Sequence, residues 1–286
     1  MTLTLTSISQ PGRGALYIIS AGLLFAGANS AVQAAGMWYG VPSPTIAFWQ
    51  YAAALVAVMP LLAKGSLRSA QPGWHVARIA AAAIGVQFWV AGLAVVPIWQ
   101  AIALILTSPL FVTIGAMMFL GERVTVPRIA AVVLGGIGGL IILAPWSEAF
   151  GIAAVLPVAA AAFWAVASLI TKRLSLDETA QNLTVILLLG LLPINAVLTL
   201  GSGFAVTPAA WPAVILAGAL LALAQFLLAR AYGAADAAFL QPFDHLKLPM
   251  NVGLGFAVFG FAPPGSMWIG AALMIAATAW LLRCER

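Results

Sequence analysis

Residues 15–37 read ALYIISAGLLFAGANSAVQAAGM, an apolar stretch without Asp, Glu, Lys or Arg. A helix that rises ~1.5 Å per residue needs about 20 such residues to cross the ~30 Å hydrocarbon core of a bilayer. The stretch is longer than the ~7–15 apolar residues at the centre of a cleaved signal peptide, and only Arg13 precedes it as a charged residue. We therefore interpret it as the first transmembrane helix.

Similar apolar runs continue to the end of the chain. Of its 286 residues, 64% are hydrophobic and only 7% are charged, whereas soluble domains are about 25% charged. The runs are continuous and do not alternate in polarity, which favours helices over the strands of a membrane barrel. The sequence predicts an all-α integral membrane protein of ten transmembrane helices. The predicted segments are residues 15–37, 44–63, 76–96, 99–120, 127–145, 150–171, 180–200, 211–231, 236–260 and 266–283.

Lysine and arginine occur in alternate connections between these segments, and the intervening connections have none. Cytoplasmic loops are enriched in these residues, so both termini are predicted to be cytoplasmic in a bacterial-type inner membrane. The exception is Lys247, inside the ninth segment. The net charge of +5 is thus explained by the orientation of the chain in its partner, the lipid bilayer. No basic run indicates binding of nucleic acid. The residues assigned to the cytoplasmic side are Arg13, Lys64, Arg68, Arg78, Arg123, Arg128, Lys172, Arg173, Arg230, Arg283 and Arg286.

The two halves of the chain are weakly similar, which indicates an internal duplication. Matches recur at separations of 138 to 140 positions. Five helices per half is an odd number, so the second copy is predicted to be inserted upside down, as in many secondary transporters. Arg128 then corresponds to Trp268, an aromatic anchor at the opposite interface. The matched pairs are Phe25 with Trp164, Gln87 with Gln225, Pro109 with Pro249, Phe119 with Phe259 and Ile129 with Ile269.

Three stretches resemble a known family. They are Thr107-Ser108-Pro109-Leu110, Phe119-Leu120-Gly121-Glu122-Arg123 and the glycine-rich run 135–139. Together they resemble the first repeat of the EamA family in the drug/metabolite transporter superfamily. The resemblance implies two EamA repeats, at residues 1–145 and 146–286, arranged around a central cavity.

The resemblance also implies export of amino acids or other small metabolites, and the chain is similar to the YddG-type amino acid exporters. One departure from the family pattern is Gly260-Phe261-Ala262-Pro263-Pro264, where the second repeat usually has a second Gly-Glu.

Polar residues inside the ninth segment are the first candidates for substrate binding, because polar side chains are costly in hydrocarbon. They are Gln241, Asp244, His245 and Lys247. Asp244 and Lys247 are three residues apart and can pair on one helix face. Either the pair neutralises itself, or it binds the carboxylate and ammonium of a zwitterionic substrate with His245 as a proton carrier. Under the second hypothesis, Lys247→Ala and Asp244→Asn reduce transport.

The remaining candidates lie in other segments. Asn29 and Gln33 are one turn apart in the first segment, and further glutamines occur at Gln87, Gln100 and Gln225. Trp89, Trp99, Trp164 and Tyr232 are candidates for an aromatic cavity lining. The alternatives are hydrogen bonds between helices for the amides and interfacial anchoring for the aromatic rings.

The sequence lacks the motifs that would indicate other classes of function. The sequence has neither a Walker loop nor a His-Glu-x-x-His or Gly-x-Ser-x-Gly motif, and its one cysteine is Cys284. We therefore expect no cofactor, no metal site and no enzymatic activity. The prediction is a non-ATP secondary transporter that exports amino acids with aromatic or neutral side chains by alternating access. Export of a drug or nucleoside, a membrane-embedded enzyme and a channel are the alternatives, and the sequence does not define the oligomeric state.

Overall fold

A computed structural model describes residues 10–62, 69–95, 104–105, 107–143, 155–260 and 266–284. The helices bounded within these ranges are α1 (Gln10–Tyr39), α2 (Ser43–Leu62), α3 (Pro72–Val95), α4 (Ser108–Phe119), α5 (Val126–Leu143), α6 (Val155–Leu174), α7 (Ala180–Thr199), α8 (Trp211–Ala234), α9 (Ala237–Asp244), α10 (Lys247–Phe259) and α11 (Ser266–Cys284). A 3-10 turn, Pro208–Ala210, leads into α8.

Four of the described helices are long and apolar enough to cross a membrane by length and composition: α1, α6, α7 and the unit Pro208–Ala234. Shorter apolar helices lie at Ser108–Phe119, Val126–Ile141 and Trp268–Cys284. The all-helical prediction is confirmed for the described part of the chain. The predicted fourth segment is described in part, because residues 99–103 and 106 lie outside the described ranges.

The predicted ninth segment, residues 236–260, is not one continuous helix. It divides into α9 and α10 at His245 and Leu246. Pro249 has no backbone N–H to donate to the His245 carbonyl, as an uninterrupted α-helix would require. Leu248 N instead donates to His245 O at 3.1 Å, and Leu246 N donates to Phe243 O at 3.2 Å. These tighter turns separate the two helices next to the predicted polar cluster.

Small residues allow the long helices to pack closely. A Cβ at Gly14 would lie 3.4 Å from the carbonyl oxygen of Ala231, so α1 approaches the backbone of α8 closely. A Cβ at Gly138 would lie 2.8 Å from the Gly270 carbonyl oxygen, between α5 and α11. Such close approach is how helices associate in lipid, where the hydrophobic effect no longer drives them together.

The helices pack in a defined set of pairs. α1 packs on α8, α9 and α10, α2 on α7 and α8, α3 on α6 and α7, α4 on α6 and α9, and α5 on α11. The largest buried cluster surrounds α9, whose Ala237, Phe239 and Phe243 are almost fully buried. The core is therefore centred on the short helix that ends at Asp244.

Basic residues cluster at one end of this bundle. Arg173 lies over the Trp74 ring at 4.9 Å, and Arg128 pairs with Asp236 at 2.9 Å. Lys172 Nζ donates to the carbonyl oxygens of Tyr232 and Ala235, which caps the end of α8. These contacts join α3, α5, α6 and the α8–α9 connection.

The opposite end is closed by uncharged contacts. Thr45 Oγ1 donates to Gly203 O at 2.7 Å, and Trp49 Nε1 donates to Phe204 O at 2.9 Å. Trp38 and Phe259 lie with ring centroids 5.3 Å apart. Aromatic rings in such positions are typical of a membrane interface.

Candidate functional site

The break between α9 and α10 holds an ion pair. The carboxylate of Asp244 pairs with the ammonium of Lys247, as their spacing predicts. The two side chains are 25% and 28% exposed respectively, so the pair is partly accessible. The charges neutralise each other, which lowers the cost of keeping either inside the membrane.

Lys247 also lies against α1. Its ammonium is 5.1 Å from the centroid of the Phe25 ring, within the range of a cation–π interaction. A Cβ at Gly22 would lie 3.0 Å from Lys247 Cγ, so a glycine leaves room for the lysine stem. The first transmembrane helix therefore forms one wall beside the ion pair.

An amide pair continues this wall. Asn29 Nδ2 donates to Asn251 Oδ1 at 3.0 Å, and Asn251 Nδ2 donates to Lys247 O at 2.7 Å. Sequence reasoning overlooked Asn251, although it lies one turn after Lys247 on the same face of an apolar helix. α1 and α10 run side by side in the same direction, since Gly22, Asn29 and Trp38 meet Lys247, Asn251 and Phe259 in order.

The exposure of Asn29 and Gln33 is explained by the helix face on which they lie. Gly22 and Asn29 are two turns apart and Gln33 follows one turn later, so all three share a face. That face meets α10 at Gly22 and is exposed at Asn29 and Gln33. A separate face carries the exposed Leu16 and Leu23. We name the face formed by Gly22, Phe25, Asn29, Gln33, Lys247 and Asn251 the polar wall.

Aromatic rings meet between α3 and α6. Trp89 and Trp164 have ring centroids 6.0 Å apart, and Phe88 stacks on Phe163 at 5.6 Å. A Cβ at Gly85 would lie 2.6 Å from Trp164 Nε1, so this glycine makes room for the indole. Trp89 and Trp164 are thus brought together and are both partly exposed.

Gln87 and Gln225, which are matched positions of the two halves, do not lie in the same environment. Gln87 is on an exposed face of α3, whereas Gln225 is half-buried. Gln225 lines a small cavity of about 20 Å³ with Arg78 and Thr171, and Gln87 is not part of that lining. Trp99 and Gln100 lie outside the described residues.

Three further candidates are buried in the helix core. Tyr232 is 3% exposed and Gln241 is 2% exposed, and Gln241 Nε2 donates to Ala237 O on its own helix. His245 is fully buried and Nε2 donates to Val132 O of α5 at 3.1 Å. His245 thus anchors the break between α9 and α10 to α5, and these three buried side chains do not belong to the polar wall.

Glu122 and Arg128 hold the start of α9. Glu122 Oε1 accepts from Ala237 N at 2.8 Å and Oε2 accepts from Ala238 N at 3.0 Å. Both acceptors satisfy amide groups that lack an intrahelical partner, and the negative charge interacts favourably with the helix dipole. Asp236 pairs with Arg128 beside them. The acid of the Gly121-Glu122-Arg123 motif thus fixes the helix that leads to Asp244.

Chemically, the polar wall offers amide donors and acceptors and an aromatic ring, and its Lys247 is neutralised by the adjoining Asp244. Within the described ranges, no group of three or more His, Cys, Asp or Glu side chains is arranged to hold a metal ion. Such a surface is suited to binding an uncharged polar solute by hydrogen bonds.

Comparison with known proteins gives a consistent result. The EamA-like transporter family matches residues 12–144. A riboflavin transporter of Rhizobium johnstonii is 49% identical over 283 residues, covering 96% of this chain and 94% of the relative. A riboflavin transporter of Vibrio cholerae is 46% identical over 286 residues, covering 96% and 95%. A chain of known crystal structure superposes with a TM-score of 0.82 at 20% identity, covering 96% and 99%, which shows a shared fold.

Proposed function

The chain belongs to the EamA-like transporter family, and we propose that this multi-pass membrane protein is a secondary transporter of riboflavin. It is a transporter and not an enzyme. The observation that carries the substrate proposal is the 49% identity to a riboflavin transporter over 96% of the chain. The predicted amino acid export finds no support among the relatives at this level of identity.

The chemistry of riboflavin suits the polar wall. Riboflavin is uncharged at neutral pH and combines a planar three-ring system, an edge of carbonyl and N–H groups, and a chain of hydroxyls. Asn29, Gln33 and Asn251 provide amides for such groups when the bond between Asn29 and Asn251 is exchanged for bonds to the solute, and Phe25 provides a ring face. A site that hydrogen-bonds a solute's polar edge rejects solutes without that edge, because its own polar groups would be left unpaired.

The ion pair favours an uncharged solute over a zwitterion. Asp244 and Lys247 contact each other, so binding a free amino acid would require them to separate. The zwitterion hypothesis predicts charges available to the substrate, whereas the flavin proposal requires only that the pair remain closed. The flux assay described below, with riboflavin and phenylalanine as competitors, separates the flavin proposal from the zwitterion hypothesis.

We further propose that the chain consists of two inverted repeats that alternate access to the polar wall. The helix pairings support this arrangement, because exchanging α1–α3 with α6–α8 converts α1·α8 into α3·α6 and α2·α8 into α3·α7. The α5·α11, α2·α7 and α4·α9 pairs convert into themselves when α4 is exchanged with α9–α10 and α5 with α11. The basic end would face the cytoplasm, with both termini there.

Proteoliposomes containing the full chain and no ATP test the transport proposal. We expect saturable entry of labelled riboflavin, accelerated by riboflavin preloaded inside, and competed by unlabelled riboflavin but not by phenylalanine. Empty liposomes are the control, and a thermal unfolding transition verifies that the reconstituted protein is folded. Flux equal to that of empty liposomes, or competition by phenylalanine at equal concentration, would reject riboflavin as the substrate.

A further inference from the structure

A cavity of about 450 Å³ lies at the basic end, between α1, α7 and α8, away from the polar wall. Its lining includes Arg13, Tyr17, Ser175, Glu178, Gln181 and Arg230. It contains two guanidinium groups, one from each of two tightly packed helices. Nothing in the transport proposal uses this cavity.

Arg230 is held in place by aromatic rings. Its guanidinium carbon lies 5.2 Å from the Tyr17 ring centroid and 5.7 Å from the Phe226 ring centroid. A guanidinium stacked on a ring keeps its N–H groups at the planar edge free for a bidentate acceptor. Stacking also limits the side-chain motion that binding would otherwise have to freeze.

The carboxylates near this cavity already have partners. Glu178 Oε2 lies 2.9 Å from His75 Nε2 and accepts from Asn182 Nδ2 at 2.7 Å. Asp177 accepts from Gln71 at 2.6 Å. Within the described part of the chain, no carboxylate forms an ion pair with Arg13 or Arg230. Among the lining residues, the two arginines outnumber the one carboxylate, Glu178, so the cavity has an excess of positive charge.

We propose that Arg13 and Arg230 bind a phosphate group in this cavity. Arginine is well matched to phosphate because its fork of donors meets two phosphate oxygens at once. The position at the basic end, where α1 enters the bundle beside Tyr17, suits the phosphodiester of an anionic phospholipid. A phosphate monoester arriving from the aqueous side presents the same chemistry. Basic pockets between transmembrane helices on the cytoplasmic side are suited to such head groups.

The test uses the purified full chain and four forms: wild type, Arg13→Gln, the double variant Arg13→Gln with Arg230→Gln, and Arg283→Gln. Arg283 is an exposed arginine near the end of α11 that does not line the cavity, so it controls for loss of charge alone. One arm titrates phosphatidylglycerol against phosphatidylcholine in mixed micelles. The other titrates inorganic phosphate against chloride at equal ionic strength. The thermal midpoint is measured in both, and native mass spectrometry counts retained lipid.

We expect the apparent affinity to fall about fivefold for each arginine removed. This figure follows because a basic residue near a charged surface contributes ~1 kcal/mol to binding. Loss of the phosphatidylglycerol response in the double variant but not in Arg283→Gln identifies a lipid head group. The same loss in the phosphate arm identifies a soluble phosphate. If the double variant does not fold, Arg13→Gln alone carries the comparison. Equal responses of the cavity variants and Arg283→Gln in both arms would overturn the proposal, whatever the outcome of the riboflavin assay.

Discussion

The imidazole of His245 fills the space that Gly135 leaves open on α5. A Cβ at position 135 would lie 2.3 Å from His245 Cδ2, and His245 Nε2 donates to Val132 O one turn earlier on α5. A glycine on one helix and a histidine at the break of another thus position Asp244 and Lys247, which lie on either side of His245. The glycine-rich run of α5 has a specific partner here.

Gly135→Ala should therefore lower both stability and transport. Forcing a methyl group into a packed core typically costs about 1–3 kcal/mol. Gly136→Ala is the matched control, because a Cβ at position 136 meets nothing within 4 Å. Thermal midpoints measured in the same detergent should fall for the first variant and stay level or rise for the second. Equal midpoints for the two variants would contradict the contact between His245 and Gly135.

Neutralising one member of the Asp244–Lys247 pair should destabilise the protein more than neutralising both. Lys247→Met or Asp244→Asn leaves a single charge within the span, and breaking a buried ion pair in this way typically costs about 3–5 kcal/mol. The partial exposure of the pair reduces that cost. The double variant should recover folded protein, and riboflavin flux per folded molecule should return to within a few-fold of wild type. Full loss of flux in a well-folded double variant would show that substrate contacts the charges directly.

Removing the amides of the polar wall should weaken riboflavin binding. Asn29→Leu and Asn251→Leu each remove a hydrogen-bonding group, and a net contribution of about 0.5–1.5 kcal/mol corresponds to a KM that is roughly two- to thirteenfold higher. Asn195→Leu is the control, because its amide bonds Leu191 O on its own helix. Riboflavin flux is measured against concentration and normalised to folded protein. An unchanged KM in both wall variants would exclude these amides from the site.

Replacing Glu122 should loosen the start of α9. Glu122→Gln keeps one acceptor oxygen but loses the charge that faces two helix amides, and loss of a cap typically costs about 0.5–2 kcal/mol. Asp177→Asn is the control, because it removes the same charge from an exposed carboxylate that accepts a hydrogen bond from Gln71. Thermal unfolding should show a lower midpoint for Glu122→Gln than for Asp177→Asn. A midpoint for Glu122→Gln at or above that of the control would contradict the capping role.

Much of the architecture could be predicted from local pattern. The apolar run around residues 15–37 predicts a spanning helix, and α1 covers it with an extra turn before the run and two extra residues after it. The spacing of Asp244 and Lys247 predicts their pairing. The prediction that the ninth segment is a single helix is wrong. Hydropathy indicates which residues avoid water, but it does not indicate where the backbone hydrogen bonds of a helix are interrupted. The proline at position 249 was the available signal for the break.

Site membership was harder to predict, because a polar residue in an apolar helix can face either a cavity or another helix. Asn29 and Asn251 meet on the polar wall, whereas Gln241 bonds its own helix and His245 bonds α5. All four lie within predicted membrane segments, so their place in the sequence does not separate them. Their difference lies in helix rotation and in which neighbours pack against each face.

By itself, the sequence determined that this is a helical membrane protein with basic residues in alternate connections, because hydrophobicity and charge act on each segment separately. Its motifs also indicated the transporter family. The tertiary structure alone decided that Asn251 meets Asn29, that Glu122 caps α9 and that His245 lies in the space at Gly135. Those contacts join residues more than a hundred positions apart, and they depend on how neighbouring helices approach and rotate as they pack.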